Sequence, residues 1–400
     1  MASKPLSFQR TLPAAAAEVY RLWTRTSAVR QWFCDAAQVE PRKGGRVYFA
    51  WNSGYHAAGA VTQAVPNKAL AFTWAGQGEP AATHVKVAFR ERAGATRVTV
   101  THTGVGSGQA WARPAAAIAA GWEAGLENLQ SVLETGEDLR VVRRPMLGIV
   151  NMSPLDAPTA LKLGVPAKAG IVIGGTVPGL GAEAAGLRPN DVVVSIGGRK
   201  TDTFSHLQSA LAARRAGDTV AVVFYRGAEK LTQPMTLSRR PLPPQPADGP
   251  ALAAALRAVH QREVPALEAV LAERPDAAAG RRPAPDEWSV KEILAHILGA
   301  ERATLDTVAE MLTDSLRWYD DFDNEATARN AGTLAVYPTT AELVSQIKLA
   351  HAELEAACAA IPADVFARPR LAWQLAFNLL QGPTHIETHL PQIQAALNGA

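Results

Sequence analysis

Between Ser238 and Pro250 the chain reads Ser-Arg-Arg-Pro-Leu-Pro-Pro-Gln-Pro-Ala-Asp-Gly-Pro, five prolines in one short run. Proline fixes its own φ and has no amide hydrogen for a helix or a sheet, so no packed element runs through such a stretch. What lies on either side must therefore fold on separate patterns. After it, apolar residues recur at spacings of three and four only. Before it they mostly alternate with period two, interrupted by isolated helical stretches. A weaker break lies at 136–145, a polar stretch ending in Arg143-Arg144-Pro145. Four hundred residues allow two to four domains. These breaks give three: residues 1–140 of mixed strand and helix, 143–240 rich in glycine and strand, and 250–400 of helix alone.

Composition excludes some roles. A net charge of +3, with no Lys/Arg run interleaved with aromatics, does not favour nucleic acid as a partner. No apolar run reaches a membrane-spanning length, and no membrane partner is expected. The first ten residues lack the apolar core of a secretory signal. Cys34 and Cys358 match no metal or redox motif, and two reduced thiols in a cytoplasmic protein are expected.

In the first module Leu70, Phe72 and Trp74 point one way along a strand, as do Val85, Val87 and Phe89 along the next. Ile118, Trp122, Leu126, Leu129 and Leu133 then mark a closing helix. Antiparallel strands curved around one long helix make an α+β helix-grip fold. Several stretches resemble the SRPBCC (START-like) superfamily, in its Hsp90-ATPase-activator-homologue branch. They are Ala17-Glu18-Val19-Tyr20-Arg21-Leu22-Trp23, Gln31-Trp32-Phe33, Lys43-Gly44-Gly45, Leu70 to Trp74, Thr96 to His102, and Gly121-Trp122. The resemblance implies an apolar cavity for a small molecule or a protein, which Trp32, Phe33, Trp51, Phe72, Trp74 and Trp122 would line. For any one of these rings, filling a core is favoured over contacting a ligand. His56, His84 and His102 are expected at surface or strand positions.

The second module carries Gly181-Ala-Glu-Ala-Ala-Gly186-Leu187-Arg188-Pro189-Asn190-Asp191 leading into the strand Val192 to Ile196, and a helix predicted from Phe204 to Arg215. This is similar to a mainly-β PDZ domain of the bacterial HtrA type. Such domains add a peptide, often a C-terminus, as a strand at a sheet edge. The resemblance implies that Met146, Leu147, Gly148 and Ile149 hold the carboxylate and open the groove strand. Leu207 or His206 would be nearest on the helical wall.

The third module reads as an all-α four-helix bundle with a long crossover between about 314 and 337. His385 and His389 stand at i and i+4 on one helix face, and His296 lies on an earlier helix. Three imidazoles brought together would leave open positions on a metal. Gly299, Ala300 and Ala303 are small and would leave room. Glu387 between the two histidines invites a zincin reading, which fails. A zincin base follows its first histidine directly, whereas Glu387 lies about 200° around the helix. Trp288-Ser289-Val290-Lys291-Glu292-Ile293-Leu294-Ala295-His296 and His385-x-x-x-His389 resemble the DinB-like superfamily of four-helix metal proteins. That resemblance implies a divalent metal, Zn or Ni, on His296, His385 and His389. It also implies either a thiol-dependent transferase or a hydrolase. A non-catalytic ligand- or peptide-binding adaptor, or a stress-related scaffold, is the alternative. His260 and His351 match no motif and are expected to face solvent.

Overall fold

The first strand, Leu6–Leu12, pairs with the seventh, Ala95–Thr103, and closes an antiparallel seven-stranded sheet. From there the order runs back through Thr83–Arg92, Ala69–Gly76, His56–Val65 and Arg46–Ala50 to Ala36–Val39. The structure, a computed structural model, describes residues 5–212, 214–272, 274–285, 287–317 and 326–399. It divides into two compact units, Met1–Glu137 with Pro243–Ala400, and Asp138–Leu242.

Alternation does what it promises in the sheet. Val85, Val87 and Phe89 are buried, as are Val98 and Val100 on the neighbouring strand. They share one core with Ile118, Trp122, Leu126, Leu129 and Leu133 of the helix Gln109–Glu134. The burial of apolar area on both partners holds helix to sheet.

His102 lies on a strand but not at the surface. It is wholly buried, because its side of the strand faces the helix. Thr83 Oγ1 lies 2.7 Å from its Nε2, and Trp122 Nε1 donates to its Nδ1 at 3.0 Å. Burial, and secondarily the nearby His84, push its pKa down to about 4. The unfolded chain therefore binds a proton below about pH 6.5 that the folded chain refuses, so stability falls as pH drops from about 6.5 to 4. The expected loss is about 3 kcal/mol. An NMR titration of the His102 ring should show a midpoint near 4, and a midpoint near 6.5 would disprove the assignment.

The same unit contains the helical bundle. Its four long helices are Gly249–Leu271, Val290–Leu312, Thr340–Ala359 and His385–Gly399, here the first, second, third and last bundle helices. Capping boxes open the second, Ser289 with Glu292, and the third, Thr339 with Glu342. The first helix continues through Pro265 and the last through Pro391. The crossover holds a further helix, Thr327–Val336, while residues 318–325 of it lie outside the described residues. Another helix, Pro369–Leu380, precedes the last. Asp314, at the end of the second helix, pairs with Arg370 at 2.7 Å and with Arg21 of the first module at 2.5 Å. Among the described residues no helix is long and apolar enough to cross a membrane.

The second unit is β-rich. Glu229–Thr236, Thr219–Arg226, Val192–Ile196, Ile171–Val172 and Ser153–Pro154 form one sheet, and Ile149–Val150 pairs with Gly175–Thr176 in a small second one. Its helix is shorter than expected and spans Phe204–Leu211. Arg226 makes a two-pronged contact with buried Asp191 at 2.9 and 2.8 Å, which ties the strand to the Gly186 turn.

Candidate metal centre

The last bundle helix opens at a fixed place. Thr384 N donates to Glu387 Oε2 at 2.9 Å, and Glu387 N donates back to Thr384 Oγ1 at 3.1 Å. This reciprocal cap, Thr384-x-x-Glu387, sets the register of the helix and hence the direction of His385 and His389. Arg262 of the first helix holds the same carboxylate at 2.9 Å. Glu387 is thus fully engaged in fastening the helix, which accords with rejecting it as a metallopeptidase base.

His296 comes from the second helix, where Ile293, Leu294 and Ile297 bury the adjacent face. Its Nε2 lies 3.1 Å from His385 Nε2, which is 3.0 Å from His389 Nε2. All three are half-buried. Three nitrogens about 2.0–2.1 Å from a tetrahedral ion would sit roughly 3.3 Å apart. The observed spacings need only a small outward movement, and the donor set fits a divalent ion. Gln392 Oε1 accepts from His389 Nδ1 at 2.8 Å, which fixes the tautomer and leaves the Nε2 lone pair toward its two neighbours.

Electrostatics favour the neutral, ligating form. Burial, then the neighbouring His385 and His389, and finally Arg329, depress the pKa of His296 to about 4. Burial and His389 lower that of His385, against a smaller opposing effect of Glu301. The Trp288 ring covers His296 at 5.0 Å between centroids.

The room expected around Gly299 is occupied. A Cβ there would come within 3.1 Å of Arg329 Nε. The glycine lets this guanidinium approach the site from the helix Thr327–Val336. Arg329 was not legible as a site residue, because it lies in the crossover.

His260 and His351 do not face solvent. They are buried and stacked face to face, centroids 3.7 Å apart. A signal for this existed. Leu252, Leu256, His260, Glu263 and Leu267 keep the spacing of an apolar stripe, as do Leu343, Ile347, His351 and Leu354. Residues at such positions are buried whatever their polarity.

The other candidate residues fall as follows. Trp32, Phe33, Trp51, Phe72, Trp74 and Trp122 are in ring contact with one another, with Phe33 stacked on Trp122 at 5.1 Å. In the second unit Leu147 and Leu207 are buried in the same core, and Met146 bridges to Ser238. Gly148 has φ +78°, and a Cβ there would meet Leu180 Cβ at 2.4 Å. Gly148→Ala should therefore destabilise this unit by about 1–3 kcal/mol through backbone strain. Faster amide exchange in the strand Val192–Ile196 would register it, and unchanged exchange would refute it. The variant consequently perturbs the fold and is a poor probe of the groove.

Residues 13–134 match the family described as activator of Hsp90 ATPase homolog 1-like protein, residues 147–237 the PDZ domain, and residues 260–393 the DinB superfamily. The chain is 34% identical over 102 residues to the serine protease Do-like HtrA of Lactococcus lactis subsp. cremoris, covering 24% of this chain and 25% of that one. It is 31% identical over 98 residues to a probable periplasmic serine protease do/HhoA-like of Haemophilus influenzae, covering 24% and 20%. The chain thus spans a quarter or less of these curated relatives. Among solved structures, the Aha1 dimer of Colwellia psychrerythraea is 19% identical with a TM-score of 0.30, covering 33% of this chain and 97% of that one.

Proposed function

From a chain that joins an Hsp90-activator-like module, a PDZ domain and a DinB-like bundle, we propose a metal-binding protein whose bundle holds Zn or Ni on His296, His385 and His389. The observation that carries this is the convergence of three Nε2 atoms with neighbours at 3.0 and 3.1 Å. A divalent ion there would supply Lewis acidity to a ligand in its open positions. The chain's own residues do the rest. Gln392 orients His389, Trp288 shields His296 from water, and Arg329 sets a fixed positive charge beside the site that suits an anionic or thiolate substrate. The reaction class that fits is transfer to a thiol, or hydrolysis.

The PDZ domain, in this proposal, takes an extended peptide along Ile149–Val150 and brings a protein partner to the bundle. We place the chain in the cytoplasm, where Cys34 and Cys358, buried in separate cores, stay reduced. The test is elemental analysis of tag-free protein followed by thiol-transfer and hydrolase assays. Metal bound at the triad with turnover that disappears in Arg329→Ala would support it. Metal bound but no turnover in any assay would leave the adaptor reading in its place.

A further inference from the structure

At one level of the bundle three helices interrupt their apolar stripes together. The first passes from Leu256 to His260 and Glu263 before Leu267, the second from Leu298 to Glu301 before Val308, and the third from Ile347 to His351 before Leu354. The apolar residues on the two sides belong to separate buried clusters, so a polar layer lies between two dry ones. His260, Glu263 and His351 are all buried, and each offers one ligand atom within 4.8 Å of the others. Glu301 Oε2 reaches to 3.3 Å from His351 Nε2, and Glu263 Oε1 to 3.8 Å.

This layer is not satisfied by the protein alone. The His351 side chain is 4% exposed, yet neither of its ring nitrogens makes a hydrogen bond. Among the described residues, Glu263 and Glu301 form ion pairs with His351 only, and no Lys or Arg offsets them. Two buried carboxylates that share one imidazole, with only the Thr384 hydroxyl donating to Glu263 besides, are costly to keep charged. His260, by contrast, is held as a metal-ligating histidine is held. Its Nδ1 donates to Glu355 Oε1 at 2.8 Å, Glu355 is anchored by Arg257 at 2.8 Å, and Nε2 keeps a free lone pair.

We infer that the layer is a second divalent-cation site, ligated by Glu263, Glu301, His351 and His260 Nε2. The mixed nitrogen and carboxylate donors suit a first-row transition cation, and two carboxylates balance its charge. The stacked rings cannot both direct their lone pairs at one ion. His351, which no hydrogen bond fixes, is the ring that turns. The site adjoins the triad without sharing a ligand with it. Thr384, which donates to Glu263, immediately precedes His385, and Glu301 lies five residues beyond His296.

The full chain, stripped of metal and equilibrated with Zn²⁺ alone, should bind two equivalents. Glu263→Gln and His351→Gln should each bind one, His385→Ala/His389→Ala one, and Glu263→Gln combined with the triad pair none. Metal-free thermal melts check that each variant folds. Glu301→Gln replaces Glu263→Gln should that variant not melt cooperatively. One equivalent in wild type and the same one in Glu263→Gln or Glu301→Gln would overturn the site and leave a buried polar layer only. A single equivalent in wild type that survives in the triad variant and is lost in Glu263→Gln would uphold this site while removing the proposed function.

Discussion

His385→Ala/His389→Ala should strip one equivalent of divalent metal from the protein. Two of three ligands go, and the remaining imidazole of His296 cannot hold an ion against water. The substitutions touch little else. Ile386 and Ile393 carry the packing of this helix, both wholly buried, and the Thr384–Glu387 cap stays intact. In metal-free buffer the variant should therefore melt close to wild type. Zn²⁺ at 100 times its Kd should add about 2.7 kcal/mol to wild type through this site. In the variant that increment should vanish. An equal metal-dependent rise in both proteins, with equal metal content, would remove the triad from consideration as a ligand set. Direction with pH follows from the histidines. With His296 pushed down to about 4, protons compete poorly for its nitrogen, and loading at pH 5.5 should remain close to that at pH 7 on its account.

What was legible here depended on periodicity. The i, i+4 pair of His385 and His389 and the stripe that carries His296 are local patterns, and a helix fixes the rest. The Thr384-x-x-Glu387 cap is equally local, a threonine followed three residues later by a glutamate at the opening of the helix. Arg329 is a different matter. Nothing in the crossover sequence says which side of the bundle it visits, and a Cβ at Gly299 would crowd its Nε at 3.1 Å. His260 and His351 match no motif, yet their stripe positions require burial. His102, expected at a surface or strand position, lies on a strand, and alternation with Val98 and Val100 puts it inside.

Asp314→Ala should destabilise the unit formed by the first module and the bundle by about 3–5 kcal/mol. Asp314 is 2% exposed at its side chain and meets two guanidinium groups, Arg370 at 2.7 Å and Arg21 at 2.5 Å. Arg370 also donates to Gln31 Oε1 at 2.6 Å, and Ser27 Oγ donates to the Asp314 carbonyl. Gly136, with φ +82°, brings the end of the first module against Pro369 and Trp373, where any Cβ would collide. Removing the carboxylate leaves Arg370, itself nearly wholly buried, as a charge without its counterion, and that is the large term. The second module and the proline-rich run separate these modules along the chain, yet the network joins an early helix, the end of the second bundle helix and the helix Pro369–Leu380. A contact between distant segments has no period, so it leaves no pattern to find. Guanidinium unfolding should show the sheet and the bundle melting in one transition in wild type. In Asp314→Ala the transition should shift to lower denaturant or split in two. A shift smaller than about 0.5 kcal/mol would place the network with surface ion pairs. Double replacement of Asp314 and Arg370 by apolar residues of similar volume discriminates further, since removing both charges should recover most of the loss while removing either alone should not.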